Sequence, residues 1–407
     1  MDRNFNKRRI VITGLGAISS LGIGKDELWK NLLAGKSGVS RIASIDTSNY
    51  DRHYGGEVKN FDPSQFISKR RVQTIGRASQ MAIAASKLAL EDAQLKLEEI
   101  DRERVAVCIG TTMGEMQILE GYNDSLLRNS GNFERKSIPI YPANCLSSNV
   151  AIEFKLSNQN DVFSTACAAG NYALGYAYDL MKLLKIDYAL VGGADAFSRI
   201  VFTGFGRLLA VAPQKCQPFD KDRKGMIPGE GAAMIVLETL ESARKRGAHI
   251  YAEVLGYGLS CDARHMTHPV VEGISKAMMK AMENSGVKSS QIDYISAHGT
   301  GTKENDKAES SAINRVFGER TSSIPASSIK SMLGHTMGAA SALEAIGCCL
   351  AIKNKHIPPT INNDEQDPNC VIDPVRNISR QQPVQLVLNN SFAFGGNNAC
   401  LALTANG

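Results

Sequence analysis

The sequence predicts an α/β protein. Two observations carry that prediction. Short apolar, β-branched runs alternate along the chain with longer stretches of helical spacing. The composition, 43% apolar and 21% charged over 407 residues, is that of a globular chain with room for two or three domains or one duplicated unit.

Taken in order, Ile10-Val11-Ile12-Thr13-Gly14 opens the chain with a strand pattern. Residues 73–93 carry aliphatic and small side chains at helical spacing and predict a helix. Residues 105–109 and 188–191 are short apolar runs and predict strands, with a helix between them over 168–184. Residues 233–237 predict the next strand. The polar segment Ala243-Arg244-Lys245-Arg246-Gly247 then marks a midpoint near residue 250, dividing 1–250 from 251–407. In the second half, strands are predicted over 292–295, 385–388 and 400–403, and helices over 273–284 and 338–353. Residues 354–383 are polar and proline-bearing and read as surface loop.

Several classes are excluded. No stretch approaches the roughly 18 apolar residues that span a bilayer. The first residues lead into a strand pattern without the apolar core of a signal peptide. Nine scattered cysteines without framework spacing read as free thiols in a reducing cytoplasm. The formal charge of +5 suits an acidic protein partner and does not call for nucleic acid.

The chemistry centres on Cys167, within Ser164-Thr165-Ala166-Cys167-Ala168-Ala169-Gly170. A helix starting there would aim free N–H groups at the sulfur and lower the thiol pKa. A lone cysteine is more often a buried structural residue. Two later segments change that balance. His298 lies in Ala297-His298-Gly299-Thr300-Gly301-Thr302, where a strand end opens into a loop. His335 lies in Gly334-His335-Thr336-Met337-Gly338, just ahead of a small-residue helix, and Lys330 precedes it by five positions. One thiol with two histidines suggests acyl transfer: the thiolate attacks a thioester, and imidazole N–H groups stabilise an enolate. Asn390-Ser391-Phe392-Ala393-Phe394-Gly395-Gly396 adds a glycine-rich turn that could bring a backbone N–H to the sulfur and a ring over the entrance.

Three other motifs were weighed. Gly14-Leu15-Gly16 hints at a dinucleotide loop, but Ser19 stands where the third glycine belongs. Cys261, His265 and His268 could ligate zinc, yet their spacing fits no common zinc pattern and a loop is the better reading. Lys69-Arg70-Arg71 is a basic helix start that could meet an acidic carrier.

Together these segments resemble the β-ketoacyl-acyl carrier protein synthases, condensing enzymes of the thiolase superfamily, and the type II elongating synthase in particular. The resemblance runs nearly end to end, through Asp262-Ala263-Arg264-His265-Met266-Thr267 as well as the motifs above. It implies a duplicated, five-layered αβαβα thiolase-like fold in a homodimer. It implies an acyltransferase with no cofactor and no metal, acting on acyl and malonyl phosphopantetheine borne by acyl carrier protein. By position, Cys167 resembles the acylated nucleophile, and His298 and His335 the pair that polarises the malonyl thioester. Lys330 resembles the lysine supporting them. The backbone N–H groups of Cys167 and Phe394 resemble the oxyanion hole, and the Phe394 ring the gate. Thr300 and Thr302 resemble the pantetheine contacts, and Met113 a side chain lining the acyl pocket. Ala393 stands where the family commonly has glycine, so altered gate motion is expected. Ser296 stands where asparagine is frequent, which weakens the inference of the structural cation that some relatives bind. The shortened stretch 207–220 is similar to polyketide-type synthases, so fatty acid, polyketide and polyene pathways stay open. So do a heterodimer with a chain-length partner, a role as that partner subunit, and a thiolase acting on coenzyme A thioesters.

Overall fold

The apolar run at residues 10–14 extends into a ten-residue strand, buried along its whole length. It is the first element of a computed structural model that describes residues 8–128, 139–183 and 185–405. In chain order the first half contains β1 (Ile10–Ser19), β2 (Gly22–Ile23), α1 (Lys25–Leu33), β3 (Ser40–Arg41), β4 (Tyr54–Gly55), α2 (Lys69–Val72), α3 (Arg77–Asp92), β5 (Val105–Gly110) and α4 (Met116–Leu127). It continues with α5 (Cys145–Phe154), β6 (Asn160–Phe163), α6 (Ala169–Lys182), β7 (Tyr188–Asp195), α7 (Arg199–Arg207), β8 (Gly231–Thr239) and α8 (Leu240–Lys245). The second half contains β9 (Ala252–Cys261), α9 (Val271–Ser285), β10 (Tyr294–Ser296), α10 (Lys303–Phe317), β11 (Pro325–Ser327), α11 (Lys330–Leu333), α12 (Ala340–Asn354), β12 (His356–Ile357), β13 (Asp373–Pro374), β14 (Arg380–Gln381), β15 (Leu386–Phe392) and β16 (Asn397–Thr404).

The strands order as β13-β11-β10-β15-β16-β9-β1-β8-β7-β5-β6. The order β6-β5-β7-β8-β1 repeats as β11-β10-β15-β16-β9. In each set the first three strands pair in parallel and the rest antiparallel. The same topology therefore occurs twice, joined where β1 pairs with β9.

Helices complete five layers. α3 and α5 cover the outer face of the first set, and α9 and α10 pack as a layer on the outer face of the second. α6 and α12 lie between the two and touch both. The pattern of α12 explains its place: every residue from Ala340 to Ile352 is buried, so no face is left for solvent. This is the duplicated αβαβα arrangement that the resemblance implies.

Gly14 and Gly16 act in packing. A Cβ on either would fall 2.1 Å from the Ala89 carbonyl oxygen or 1.9 Å from that of Ala85, so their absence lets α3 lie directly on β1. The helix predicted over 73–93 is broken. α2 ends at Val72, and α3 starts after Gly76, with the Gln80 amide donating to the Val72 and Ile75 carbonyls at 3.0 and 3.1 Å. The reading of 354–383 as surface loop is overturned. Ile357, Thr360, Asn363, Cys370 and Val375 are buried in it, and β13 pairs with β11. Two of its buried polar side chains bond to the rest of the fold: Thr360 Oγ1 accepts from Ser328 N–H at 2.9 Å, and Asn363 donates to the Pro218 carbonyl at 2.9 Å.

Candidate active site

Cys167 sits in a single turn, Ala166–Ala168, that feeds α6 from the end of β6. Ala166 takes a left-handed φ of 50°, which turns the chain sharply into the helix. The thiol is almost enclosed, at 6% exposure. The expected low thiol pKa is corrected here. Burial pushes it up, to about 11, and the positive charge of Lys330 opposes that rise only in part.

His298 follows β10 by two positions. Its backbone N–H and that of Gly299 each donate to the Glu309 carboxylate on α10 at 2.8 Å. His335 follows α11, its N–H donating to the Ile227 carbonyl at 2.6 Å. The two rings are 5.6 Å apart and nearly perpendicular, at 85°. The Cys167 sulfur and one nitrogen of each ring lie within 4.8 Å of one another.

The hydrogen bonds define which nitrogens face the cavity as donors. Lys330 Nζ lies 3.2 Å from His298 Nδ1. An ammonium only donates, so Nδ1 accepts and the His298 proton is on Nε2. The Met337 backbone N–H donates to His335 Nδ1 at 3.1 Å, which places that proton on Nε2 as well. Burial, then Lys330, holds both imidazoles well below their usual pKa, so both are neutral at pH 7. The result is two Nε2–H donors beside one thiol. A cation held by these three residues would need Nε2 atoms that carry protons and would adjoin the Lys330 ammonium, so the set suits an anion.

Lys330 is buried at the start of α11, bonded to the His298 carbonyl at 2.7 Å and paired with Glu344 of α12. Burial pushes the Glu344 and Glu309 carboxyls up to about 7, against the pull of Lys330. Sequence reasoning missed both glutamates. A lone carboxylate inside the apolar run Ala342-Leu343-Glu344-Ala345-Ile346 was the available signal, because a buried charge needs a partner.

Cys167, His298 and His335 line a cavity of about 60 Å³ that opens to solvent. Thr300 and Thr302 line it, with hydroxyl oxygens 2.8 Å apart. Phe394 lines it too, its ring 5.4 Å from that of Phe205, and also borders an outer groove with Leu208, Leu209, Lys224 and Lys303. Ala393 has a φ of −114°, which alanine adopts without strain, and the left-handed positions of this turn are Gly395 and Gly396. His265 and His268 also line the cavity, with Nδ1 atoms 2.8 Å apart; Cys261 is outside its wall.

Met113 is not in the cavity wall. It packs behind it, against Met226, Met337 and Val201, of which Met226 lines the cavity. Lys69, Arg70 and Arg71 are in α2, away from the cavity lining. Lys69 and Arg70 are exposed, while Arg71 is paired with Glu153 at 2.8 Å and bonded to the Asn149 carbonyl at 3.0 Å.

Comparison with known proteins accords with this geometry. The family described as "Beta-ketoacyl synthase, N-terminal domain" matches residues 7–243, and "Beta-ketoacyl synthase, C-terminal domain" matches residues 251–364. A 3-oxoacyl-[acyl-carrier-protein] synthase 2 of Synechocystis sp. is 38% identical over 409 residues, covering 98% of each chain. A solved structure of the ishigamide ketosynthase/chain length factor is 45% identical with a TM-score of 0.96, covering 98% of this chain and 100% of that one. A type II PKS acyl-carrier protein in complex with its ketosynthase bound to the hexaketide gives 31% identity and a TM-score of 0.89, with 98% and 100% covered. A buried cysteine at a helix start, a facing histidine pair and full-length similarity converge: the chain belongs to the β-ketoacyl synthase family.

Proposed function

We propose that this protein is a decarboxylating condensing enzyme that extends an acyl group by two carbons from malonyl-acyl carrier protein, in fatty acid or type II polyketide or polyene synthesis. The observation that carries it is the pair of neutral Nε2–H donors beside the Cys167 thiol. In the first step the Cys167 sulfur attacks the acyl thioester. The C–S bond to the carrier breaks, and the departing pantetheine thiolate takes up the proton that Cys167 gives up. Backbone N–H groups of Cys167 and Phe394 serve the oxyanion. Malonyl-carrier then enters past Thr300 and Thr302, which contact its pantetheine arm. Its C–C bond to the carboxylate breaks, carbon dioxide leaves, and the enolate oxygen is held by His298 and His335. The enolate carbon attacks the acyl–Cys167 carbonyl, expelling the sulfur, which is reprotonated. Lys330 fixes the His298 tautomer. The nucleophile belongs to a half spanning 1–250 and the histidines to a half spanning 251–407.

The test is intact mass after incubation with a panel of acyl-carriers. One acyl adduct per chain is expected, lost in Cys167→Ala; an adduct that persists on another cysteine removes the assignment. A thiolase acting on coenzyme A would use a second cysteine in place of one histidine, and among the described residues no second thiol lines the cavity. A purely chain-length partner subunit would have no use for the complete Cys167, His298 and His335 set. Either a homodimer or a heterodimer with such a partner suits the open edge of β6, which ends the sheet order. The nine free cysteines suit the cytoplasm, and no helix among the described residues is long and apolar enough to cross a membrane.

Carrier docking combines the α2 cations with Lys224 and Lys303 at the outer groove. Reversing the charges of Lys69 and Arg70, or of Lys224 and Lys303, should raise the KM for carrier-bound substrate but not for a small pantetheine thioester. Arg71 should contribute less, being tied to Glu153. Equal effects on both substrates would refute docking. Chain length is set by the methionine wall. Met113→Ala should let Met226 retreat and shift acylation to longer chains; Met113→Phe should favour short ones, since overpacking costs about 1–3 kcal/mol. An unaltered profile in a competition assay would place the limit elsewhere.

A further inference from the structure

Asp195 ends β7 with its side chain buried, at 1% exposure. Its carboxylate ties together two segments that are distant in sequence. On one side it accepts from Thr111 Oγ1 at 2.7 Å and from the N–H groups of Thr112 and Met113 at 2.7 and 3.0 Å. On the other it accepts from the N–H of Gly338 at 2.6 Å. These are neutral donors, and burial pushes the carboxyl up to about 6 against them.

The second segment bears directly on His335. Gly338 follows Met337, whose own N–H donates to His335 Nδ1 at 3.1 Å. Met337 has a left-handed φ of 53°, a conformation that a methionine holds only when its surroundings impose it. A Cβ at Gly338 would lie 2.4 Å from Thr111 Cα and 2.7 Å from Asp195 Oδ2, so the approach is as close as backbone permits. Asp195 thus orients the Met337–Gly338 peptide, and Met337 links it to the preceding Thr336–Met337 peptide, whose N–H donates to the histidine. The apolar side has a matching link, because Met113 packs against Met337.

We propose that Asp195 is a positioning residue that holds the acyl-pocket segment carrying Met113 against the helix start that sets the tautomer of His335. Pocket shape and decarboxylation then share one anchor. The proposal rests on the condensing activity proposed above, but it fails separately. Absence of any acyl adduct on the parent enzyme would refute that activity; a parent-like Asp195 variant would refute only this coupling.

The test is Asp195→Asn in the full chain, with carrier-bound acyl chains of defined length and malonyl-carrier as probes. An amide presents N–H₂ where a carboxylate oxygen received N–H groups, so one side of the clamp must open. Decarboxylation kcat per alkylatable Cys167 should fall about tenfold while the KM for malonyl-carrier holds within about twofold. The acyl chain-length profile should broaden in the same variant. A merely structural role would instead lower the alkylatable fraction and leave per-site kcat and profile unchanged, which overturns the proposal. A broadened profile with parental kcat overturns the link to His335. Thr111→Val removes the bond to Asp195 and the one accepted from the Gly114 N–H, both on the Met113 side, and guards against a variant that does not fold. It should shift the profile with decarboxylation kept within about twofold, and a parental profile there also counts against the clamp.

Discussion

His335→Ala is expected to slow malonyl decarboxylation by about 10²–10³-fold, and His298→Ala to do the same, because each removes one preorganised donor from the developing enolate oxygen. Acylation of Cys167 should suffer less. The thiol is carried by a separate turn ahead of α6, and in the proposed mechanism its attack relies on backbone N–H groups instead of the histidines. The two substitutions should differ in side effects. His298 has its carbonyl and Nδ1 on Lys330, so its loss also leaves that ammonium short of an acceptor. His335 is held through Met337 and Ile227 backbone groups that survive the change. Carbon dioxide release, normalised to acylatable Cys167, measures both. Near-parental release in the two variants would end the enolate-stabilising role.

Lys330→Met should be the most destabilising single change at the site, by about 3–5 kcal/mol, since it strands a buried partner charge. Lys330 and Glu344 are each 2% exposed in their side chains. Glu344 on α12 would lose its cation within an otherwise apolar helix. Replacing both, Lys330→Met with Glu344→Leu, should recover most of the stability, because well-packed apolar groups can replace a buried ion pair at little cost. It should not recover decarboxylation, because nothing would then hold the His298 proton on Nε2. Urea unfolding midpoints and carbon dioxide release together decide this. A single variant as stable as the parent would mean that the pair contributes nothing net.

The elements legible in the sequence were those whose burial is apolar. The strands at β5, β7, β8, β15 and β16 and the helices α6, α9 and α12 were read with ends displaced by a few residues at most. α10 was missed because polar residues interrupt its buried face, which also carries Ala308, Ala312, Ile313 and Phe317. Asn305, Asp306 and Glu309 point inward, where Asp306 accepts the Phe219 and Gly301 N–H groups and Glu309 those of His298 and Gly299. Hydrophobic periodicity cannot report a helix whose task is to hold a loop by its backbone. Residues 354–383 were misread because the apolar residues they bury, Ile357, Cys370 and Val375 among them, are scattered between polar and proline residues without a period.

The sequence by itself determined the α/β alternation and, through the order of its motifs, the resemblance that singled out Cys167, His298, His335 and Lys330. Residue types and local spacing suffice for that, because strand and helix patterns and glycine-bounded loops are short-range properties. Only the tertiary structure decided the protonation of the site. The thiol pKa rises instead of falling because enclosure by α6, α12 and the cavity walls outweighs the charge of Lys330. The histidines are neutral Nε2–H donors because Lys330 and the Met337 peptide, set by folding, occupy both Nδ1 atoms. Met113 packs against a cluster whose Met226 lines the cavity, and is not itself in the lining. Desolvation and hydrogen-bond partnership depend on what long-range packing brings alongside a group, and no local stretch of sequence encodes its own surroundings.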